Sequence, residues 1–286
     1  MSNLLITGAN GQLGSELRKL SAGYPHHRFF FTDVAELDIT RPAAINDFLD
    51  GNGIRTVINC AAYTAVDKAE EAEQSAALIN AEAVAHLALA CNRRQAALIH
   101  ISTDYVYDGR ACIPYREEHP AAPLSAYGRT KLAGERAASS VAKHVILRTS
   151  WLYSAFGNNF VKTMLRLGRE RESVNVVFDQ TGTPTYAADL ARCIMTVVEK
   201  DRENQFVPGV FHFSGEGVCS WYDFAHAVMR LAGLKCTVRP VETKDYPALA
   251  ARPQYSVLNK ARIKATYGVA IPHWSESLEQ CLREIG

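Results

Sequence analysis

The sequence has little that would suit a secreted, membrane-bound or nucleic-acid-binding protein. Its seven cysteines are odd in number and form no Cys-x-x-Cys pair, so we expect reduced, buried thiols rather than a disulfide framework. No apolar run approaches the length of a membrane span, and no signal-peptide pattern opens the chain. Lys and Arg (31) balance Asp and Glu (30), without the concentrated positive charge that nucleic acids and membrane surfaces require. We therefore expect a soluble, cytoplasmic protein with a small-molecule ligand.

Metal-binding motifs are also missing. The nine histidines are dispersed, and the sequence contains no His-Glu-x-x-His motif and no Cys/His cluster with zinc spacing. A catalytic zinc site is therefore not expected.

A glycine-rich loop stands close to the N-terminus. The apolar residues 4–6 predict a short buried strand, which passes directly into residues 7–14, Thr-Gly-Ala-Asn-Gly-Gln-Leu-Gly. Leu13, Leu17 and Leu20 follow at helical spacing, so a helix begins where the loop ends. Its N-terminus can present free N–H groups to a pyrophosphate, and glycine lets the backbone approach closely. An ordinary turn is the alternative, but the flanking strand and helix favour a dinucleotide-binding loop.

Apolar runs alternate with helical patterns through the first half of the chain. The predicted strands are 29–31, 56–59, 97–101 and 144–147, and the predicted helix is 75–94. This alternation indicates βαβ units and hence an α/β fold, a Rossmann-type doubly wound parallel sheet with its ligand at the carboxyl ends of the strands.

The second half of the chain is more irregular. Helices are predicted at 158–168, 187–200, 221–232 and 275–284, and a strand at 174–178. We expect residues 1–150, joined by parts of 174–215, to form a dinucleotide-binding domain. Residues 151–286 should form most of a smaller C-terminal substrate-binding domain that packs against it as one compact body.

Tyr127 and Lys131 lie four residues apart on a predicted helix and so share one face. A phenol has a reference pKa of about 10, and a nearby ammonium group favours the phenolate. Lys131 is therefore predicted to lower the pKa of Tyr127, which would make the tyrosine useful in acid–base chemistry. The spacing also arises by chance, so the surrounding segments decide its meaning.

Several of those segments carry a family resemblance. They are residues 59–70 (Asn-Cys-Ala-Ala-Tyr-Thr-Ala-Val-Asp-Lys-Ala-Glu), 102–109 (Ser-Thr-Asp-Tyr-Val-Tyr-Asp-Gly), 127–135 (Tyr-Gly-Arg-Thr-Lys-Leu-Ala-Gly-Glu), 148–153, 159–160, 179–185 and 252–253. Over nearly its whole length the chain resembles the extended short-chain dehydrogenase/reductases, and within them the dTDP-4-dehydrorhamnose reductases. Related nucleotide-sugar epimerases and dehydratases share the glycine loop and Tyr-x-x-x-Lys but usually differ in the later segments.

The resemblance implies an NAD(P)H-dependent oxidoreductase. It would reduce the C4 ketone of dTDP-4-dehydro-L-rhamnose to dTDP-L-rhamnose, in nucleotide-sugar and cell-surface polysaccharide biosynthesis. The implied catalytic residues are Thr103, which orients the carbonyl oxygen, Tyr127, the proton donor, and Lys131, which also binds the nicotinamide ribose. Ser102 is the alternative to Thr103.

The implied cofactor is NADPH or NADH. Its expected contacts are Gly8, Asn10, Gly11, Gln12, Leu13, Gly14, Asp33, Asp38, Ile39, Ala62, Tyr63, Thr64, Tyr127 and Lys131. Asp33 stands at a strand end, where a carboxylate often binds the ribose 2′-hydroxyl and repels a 2′-phosphate, which favours NADH. Similar reductases accept NADPH, and Arg28 or Arg41 could neutralise the phosphate. Both cofactors therefore stay open.

The implied partner is a dTDP-linked 4-keto-6-deoxysugar. Its expected contacts are Val66, Thr103, Asp104, Trp151, Asn159, Gln180 and Arg252. An aromatic surface suits a deoxysugar ring, and an arginine suits a diphosphate. Ser154 and His119 depart from the family pattern, which commonly has glycine and aspartate there, and either could alter the accepted sugar.

Two further properties stay open. Some similar proteins hold Mg²⁺ between subunits, and Glu16 matches one contributing position, with Asp189 as another candidate. The stronger alternative for Glu16 is a surface carboxylate in the first turn of a helix, so neither Mg²⁺ nor a homodimer is established.

A non-catalytic regulatory subunit of the same fold is a different class of function, and another nucleotide-sugar reductase or epimerase is a third possibility. The intact catalytic residues favour an enzyme.

Overall fold

The computed structural model describes residues 2–246 and 248–286. Its strands are β1 (Ser2–Thr7), β2 (His27–Thr32), β3 (Thr56–Asn59), β4 (Ala97–Thr103), β5 (His144–Thr149), β6 (Leu152–Tyr153), β7 (Ser173–Val177), β8 (Thr181–Gly182), β9 (Thr185–Tyr186), β10 (Gly209–His212), β11 (Cys219–Ser220) and β12 (Thr237–Val241). Six of them form one parallel sheet in the order β10-β5-β4-β3-β1-β2. The strand order reverses at β1 and β3, and such a point opens a crevice at the carboxyl ends of the strands.

Helices cover both faces of this sheet. They are α1 (Gln12–Leu20), α2 (Pro42–Gly51), α3 (Val66–Glu71), α4 (Glu73–Ala77), α5 (Ala83–Arg94), α6 (Ala126–Ala138), α7 (Phe160–Glu170), α8 (Ala187–Arg202), α9 (Trp221–Leu231), α10 (Ala261–Tyr267) and α11 (Trp274–Ile285). A π-helical turn, Leu78–Glu82, joins α4 to α5. None of the helices in the described residues is long and apolar enough to cross a membrane.

The strands explain why both faces are covered. Along β1, Leu4 and Ile6 join the core that contains α1 and α8, while Leu5 between them joins the core that contains α2 and α5. All three side chains are fully buried. Successive side chains on a strand point to opposite faces, so an unbroken apolar run requires helices on both sides. The predicted Rossmann-type α/β fold is confirmed.

A second hydrophobic core lies in the second half of the chain. It contains side chains from α7, α9 and α11 and from the two-stranded pair of β7 and β12. The predicted helices at 158–168, 187–200, 221–232 and 275–284 correspond to α7, α8, α9 and α11, with ends shifted by one or two residues. The short helix α2 and strand β10, by contrast, were not predicted as elements. Within 174–215, β10 belongs to the large sheet and α8 packs against it, whereas β7 pairs with β12.

The prediction that every cysteine is buried is wrong for two residues. Cys112 is exposed and Cys60 is half-buried, whereas the other five are buried. Cys112 lies in the irregular segment between β4 and α6, which has no helical or strand periodicity that would bury it.

Close packing of α6 against the π-helical turn produces a first prediction. A methyl group added to Gly134 in α6 would overlap the backbone oxygen of Asn80, and a backbone atom cannot rotate away. Gly134→Ala should lower the free energy of unfolding by about 1–3 kcal/mol in urea titrations, as overpacked cores do. Gly51→Ala in α2 is the matched control, since a methyl group there meets nothing within 4 Å. Equal stability of the two variants would contradict the prediction.

Candidate active site

A cavity of about 780 Å³ runs along the carboxyl ends of the large sheet. Strands β1, β4 and β5 contribute their last residues Thr7, Thr103 and Thr149, and the loops that follow β2 and β3 contribute further walls. One end is the glycine loop and the other contains Trp151. The cavity therefore lies where ligands of doubly wound sheets bind.

The glycine loop fits the backbone of the neighbouring strand end. Gly8 has φ +63°, and a Cβ atom there would stand 2.7 Å from the Cα and N of Ala61. A Cβ atom on Gly14 would stand 2.5 Å from the Cα of Ala9. Gly11 caps α1 without any side-chain hydrogen bond, which leaves N–H groups of the first turn available. This arrangement suits a pyrophosphate, so these residues fit a dinucleotide.

Thr103, Tyr127 and Lys131 meet in the same cavity. Tyr127 and Lys131 lie on α6, which begins after Ser125, whose side chain accepts a hydrogen bond from the N–H of Gly128. Thr103 ends β4, and its hydroxyl donates to Oδ1 of Asp104 over 3.0 Å. Lys131 is buried, and its Nζ donates to the backbone oxygen of Ile101 over 2.6 Å.

The pKa values of Tyr127 and Lys131 differ from the sequence prediction. Burial raises the pKa of Tyr127 to about 12, although a hydrogen bond with Thr103 opposes the rise. Burial also lowers the pKa of Lys131 to about 8, against the attraction of Glu135. Loss of water disfavours the charged form of each group, so it moves the two values in opposite directions. The sequence predicted that Lys131 lowers the pKa of Tyr127. In this structure the pKa of Tyr127 is raised instead.

The neighbouring Asp104 is an acid with an unusual environment. The residue is 2% exposed, and burial raises the pKa of its carboxyl to about 6, although a hydrogen bond from Thr103 opposes the rise. Asp104 lines the cavity beside Tyr127. It can accept a hydrogen bond from a hydroxyl group of a ligand.

A buried ion pair between Arg148 and Glu135 lies next to the site. The guanidinium of Arg148 on β5 contacts both oxygens of Glu135, with Nε at 2.9 Å and an NH2 group at 2.7 Å. Oε1 of Glu135 also accepts from Ser102 over 2.5 Å, and Arg148 donates to the hydroxyl of Tyr107. Glu135 follows Lys131 by one helical turn, so this network fixes α6 against β4 and β5.

The glycine-loop end of the cavity is acidic. Oδ2 of Asp33 accepts from the N–H of Asn10 over 3.1 Å, and Oδ1 accepts from the N–H of Val34. Glu36 lies close by and accepts from the N–H of Asp33. Asp38 is held by Thr40, whose hydrogen bonds lower the pKa of Asp38.

Most of the predicted site residues line this one cavity. They are Gly8, Gly11, Gln12, Leu13, Gly14, Asp33, Asp38, Ile39, Ala62, Thr64, Val66, Thr103, Asp104, Tyr127, Lys131, Trp151 and Asn159. Their roles as ligand contacts stay predictions, but the structure brings them together.

Four predicted residues are not among those that line it: Asn10, Tyr63, Gln180 and Arg252. Gln180 is 4% exposed and donates to the hydroxyl of Thr243. Arg252 forms an ion pair with Asp67 over 2.7 Å. Both side chains have a protein partner in this arrangement, although Nε of Arg252 has none.

Sequence reasoning missed two residues that shape the site. Asn80, buried in the π-helical turn, accepts from the N–H of Tyr63 and donates to its backbone oxygen and to Thr130 on α6. Trp221 lines the cavity and stacks on Trp151. The π-helical turn has no clear sequence signal, whereas an aromatic residue directly after Ser220 and before Asp223, a capping pattern, was available as a signal for Trp221.

Glu16 is not the surface carboxylate that its helical position suggested. It is 2% exposed, burial raises its pKa, and Oε1 accepts from Ser154 over 2.6 Å. Asp189 is also buried and accepts from Ser277 over 2.5 Å and from Arg192. Both carboxylates are thus bonded within the protein, and neither belongs to a close group of three metal-ligand side chains among the described residues. No chemical step here is assigned to a metal.

One such group does occur in the described part of the chain, at the opposite end of the sheet. Nε2 of His26 and of His27 lie 2.9 and 2.5 Å from the same oxygen of Glu199, and Arg202 donates to the other oxygen. Burial alone would raise the pKa of Glu199, but these hydrogen bonds together lower it to about 2. The distances are those of hydrogen bonds, so we interpret the group as a local hydrogen-bonded cluster around Glu199.

A family model described as the RmlD substrate binding domain matches residues 1–286. The chain belongs to this family. It is 41% identical to a dTDP-4-dehydrorhamnose reductase of Aggregatibacter actinomycetemcomitans, over 98% of both chains. It is also 41% identical to a probable dTDP-4,6-dihydroxy-2-methyloxan-3-one 4-ketoreductase of Streptomyces antibioticus, over 98% of this chain and 95% of the relative. The predicted resemblance is confirmed.

A crystal structure supplies the corresponding likeness in three dimensions. The dTDP-4-dehydrorhamnose reductase of Bacillus anthracis in complex with NADP has a TM-score of 0.94 and 40% sequence identity to this RmlD-family chain, covering 99% of this chain and 100% of the other.

The buried ion pair under the site is open to a direct test. Glu135→Gln keeps the shape but leaves the charge of Arg148 buried without a counter-charge, so the free energy of unfolding should fall by about 3–5 kcal/mol. Glu73→Gln is the matched control, because its pair with Arg129 is about half exposed and such pairs contribute about 0–1 kcal/mol. Urea unfolding of both variants measures the difference. A loss in Glu135→Gln no larger than in the control would contradict the assigned role.

Proposed function

We propose that this protein catalyses the NAD(P)H-dependent reduction of the C4 ketone of dTDP-4-dehydro-L-rhamnose to dTDP-L-rhamnose. The observation that carries the proposal is a single cavity that begins at a dinucleotide-type glycine loop and contains Tyr127 and Thr103 farther along. The similarity to reductases of this name supports the same substrate. The product is a precursor for rhamnose-containing polysaccharides.

The reaction requires a hydride at the carbonyl carbon and a proton at its oxygen. The reduced nicotinamide supplies the hydride when bound. Because the pKa of Tyr127 is about 12, its phenol is protonated at neutral pH and can donate that proton to the developing alkoxide. Thr103, which lines the same cavity as Tyr127, would orient the oxygen. Lys131, a buried residue of the cavity wall, would place a positive charge near a ribose hydroxyl and the new phenolate.

The choice between the two cofactors depends on the acidic end of the cavity. Asp33 lines the cavity there and Glu36 is hydrogen-bonded to its backbone N–H, so a 2′-phosphate would approach a negatively charged wall. Arg28 places its guanidinium over the ring of Phe30, and Arg41 is close enough to Asp38 to attract it. We propose that both cofactors bind and that NADH binds more tightly, although the similar Bacillus anthracis reductase binds NADP.

The substrate would lie between Tyr127 and the wall formed by Trp151, with Val66, Asp104 and Asn159 around it. We propose that residues 1–150, together with α8 and β10, bind the dinucleotide, and that most of the remaining second half binds the sugar nucleotide. The similarity to the Streptomyces 4-ketoreductase favours a second candidate, a related dTDP-linked ketosugar.

The direct assay is loss of reduced-nicotinamide absorbance with dTDP-4-dehydro-L-rhamnose, run in parallel with NADH and NADPH. Turnover of this sugar supports the proposal. Cofactor binding with no turnover of any dTDP-linked ketosugar would favour a regulatory protein instead.

The role of Tyr127 as proton donor can be tested with a single substitution. Tyr127→Phe removes the proton donor and should lower turnover by about 10²–10⁴-fold, while the dissociation constant for NADH changes little. Tyr24→Phe removes a phenol that does not line the cavity and should leave turnover unchanged. Near-normal turnover of Tyr127→Phe would remove this residue from the chemistry.

The lowered pKa of Lys131 predicts a pH dependence of cofactor binding. The ammonium is present below about pH 8 and is lost as the pH rises through that value. NADH affinity should therefore fall between neutral and alkaline pH, because the neutral amine no longer attracts the anionic cofactor. Lys131→Met should bind NADH more weakly at neutral pH and lose the pH dependence. An identical pH profile in this variant would assign the titration to another group.

A further inference from the structure

Two stacked indoles form one wall of the cavity. The rings of Trp151 and Trp221 lie 3.6 Å apart between centroids, with their planes only 11° from parallel. Both line the cavity that also contains Tyr127, and both remain partly exposed. The sequence shows them 70 positions apart, with no signal that they meet.

The backbone of Trp151 has a conformation that is rare for residues other than glycine. Its φ is +48°, in the left-handed region that side chains other than glycine rarely adopt. Gly182 lies against the same ring, and a Cβ atom there would stand 2.7 Å from Cε2 and 2.8 Å from Cζ2 of Trp151. Such backbone strain persists only where the surroundings impose it, and it clusters at sites that bind ligands.

Trp221 is the rigid partner. It is the first residue of α9, which begins with a capping box formed by Ser220 and Asp223. The ring of Phe160 packs on Trp221 with the centroids 4.6 Å apart. Trp221 therefore cannot easily turn away from Trp151, and the stacked contact opposes the relaxation of the Trp151 backbone.

We propose that Trp221 is a substrate-positioning residue, which holds the indole of Trp151 against the apolar face of a 6-deoxyhexose ring. This inference rests on the proposed function. The stacked pair offers a flat apolar surface, and a deoxysugar presents C–H groups and a methyl group where an ordinary hexose carries another hydroxyl. Asp104 lies in the same cavity and can accept a hydrogen bond from a sugar hydroxyl. Trp221 acts through the position of Trp151 and not on the transferred proton.

Steady-state kinetics separate positioning from chemistry. In Trp221→Ala, the KM for dTDP-4-dehydro-L-rhamnose should rise about 10-fold, as expected for the loss of a stacked aromatic contact. Turnover at saturation and the NADH dissociation constant should stay close to wild type. Trp221→Phe should restore most of the affinity, and Trp274→Phe, which removes an indole that does not line the cavity, is the matched control. An unchanged KM in Trp221→Ala, or an equal loss in Trp221→Phe, would overturn the proposal.

Fluorescence reports the position of Trp151 without any substrate. The chain has three tryptophans, so Trp151 is the single emitter in the double variants W221F/W274F and W221A/W274F. Its emission should move to longer wavelength in the alanine variant only, because the indole becomes more exposed to water. Identical emission from both double variants would overturn the proposal, whatever the substrate proves to be. Absence of turnover in the wild type would instead count against the proposed function alone.

Gly182→Ala perturbs Trp151 independently of Trp221. The added methyl group would displace the indole from its position, so the KM for the sugar nucleotide should rise while NADH binding is retained. This variant keeps the test decisive if Trp221→Ala fails to fold. A normal KM in Gly182→Ala would show that the position of Trp151 does not govern substrate affinity.

Discussion

The buried ion pair between Glu135 and Arg148 is the constraint on which the site depends. Both residues are 5% exposed or less, and removing two charges from water is costly unless every polar atom finds a partner. Here the two-pronged contact, with further hydrogen bonds from Ser102 and to Tyr107, provides those partners. Because the pair ties α6 to β4 and β5, it also fixes the distance between the helix that carries Tyr127 and the strand ends that face the ligand.

The same burial determines the protonation states of the proposed chemistry. On an exposed helix, water would solvate the phenolate and a nearby ammonium would lower the pKa of the tyrosine only slightly. In this cavity the loss of water raises the pKa of Tyr127 instead. Tyr127 therefore keeps its proton at neutral pH, which suits a group that must donate one, and Lys131 loses its charge more readily than a lysine in water.

The sequence predicted those features that depend on neighbours along the chain. The strand at 4–6, the glycine loop and the Tyr127–Lys131 spacing are local patterns, and each occurs where it was expected. The burial of Glu16 was not predictable in this way, because its partner Ser154 lies 138 positions away. Gln180 was assigned to the ligand from the family resemblance, and its hydrogen bond to Thr243, 63 positions away, likewise has no local signal in the sequence.

Hydrogen bonds join the segment after Trp151 to helix α1, and so connect the two halves of the chain beside the cavity. Asn159, which caps α7 in the second half, donates to the side chain of Gln12 over 3.0 Å, and Ser154 donates to Glu16 in the same helix α1. The N-terminus of α1 is where a pyrophosphate would lie, and the segment 154–159 leads from the Trp151 wall into α7. Helix α1 thus supports both ends of the cavity. A displacement of this helix would move the glycine loop and the Trp151 wall together, so one rigid element would hold the two proposed ligands in register.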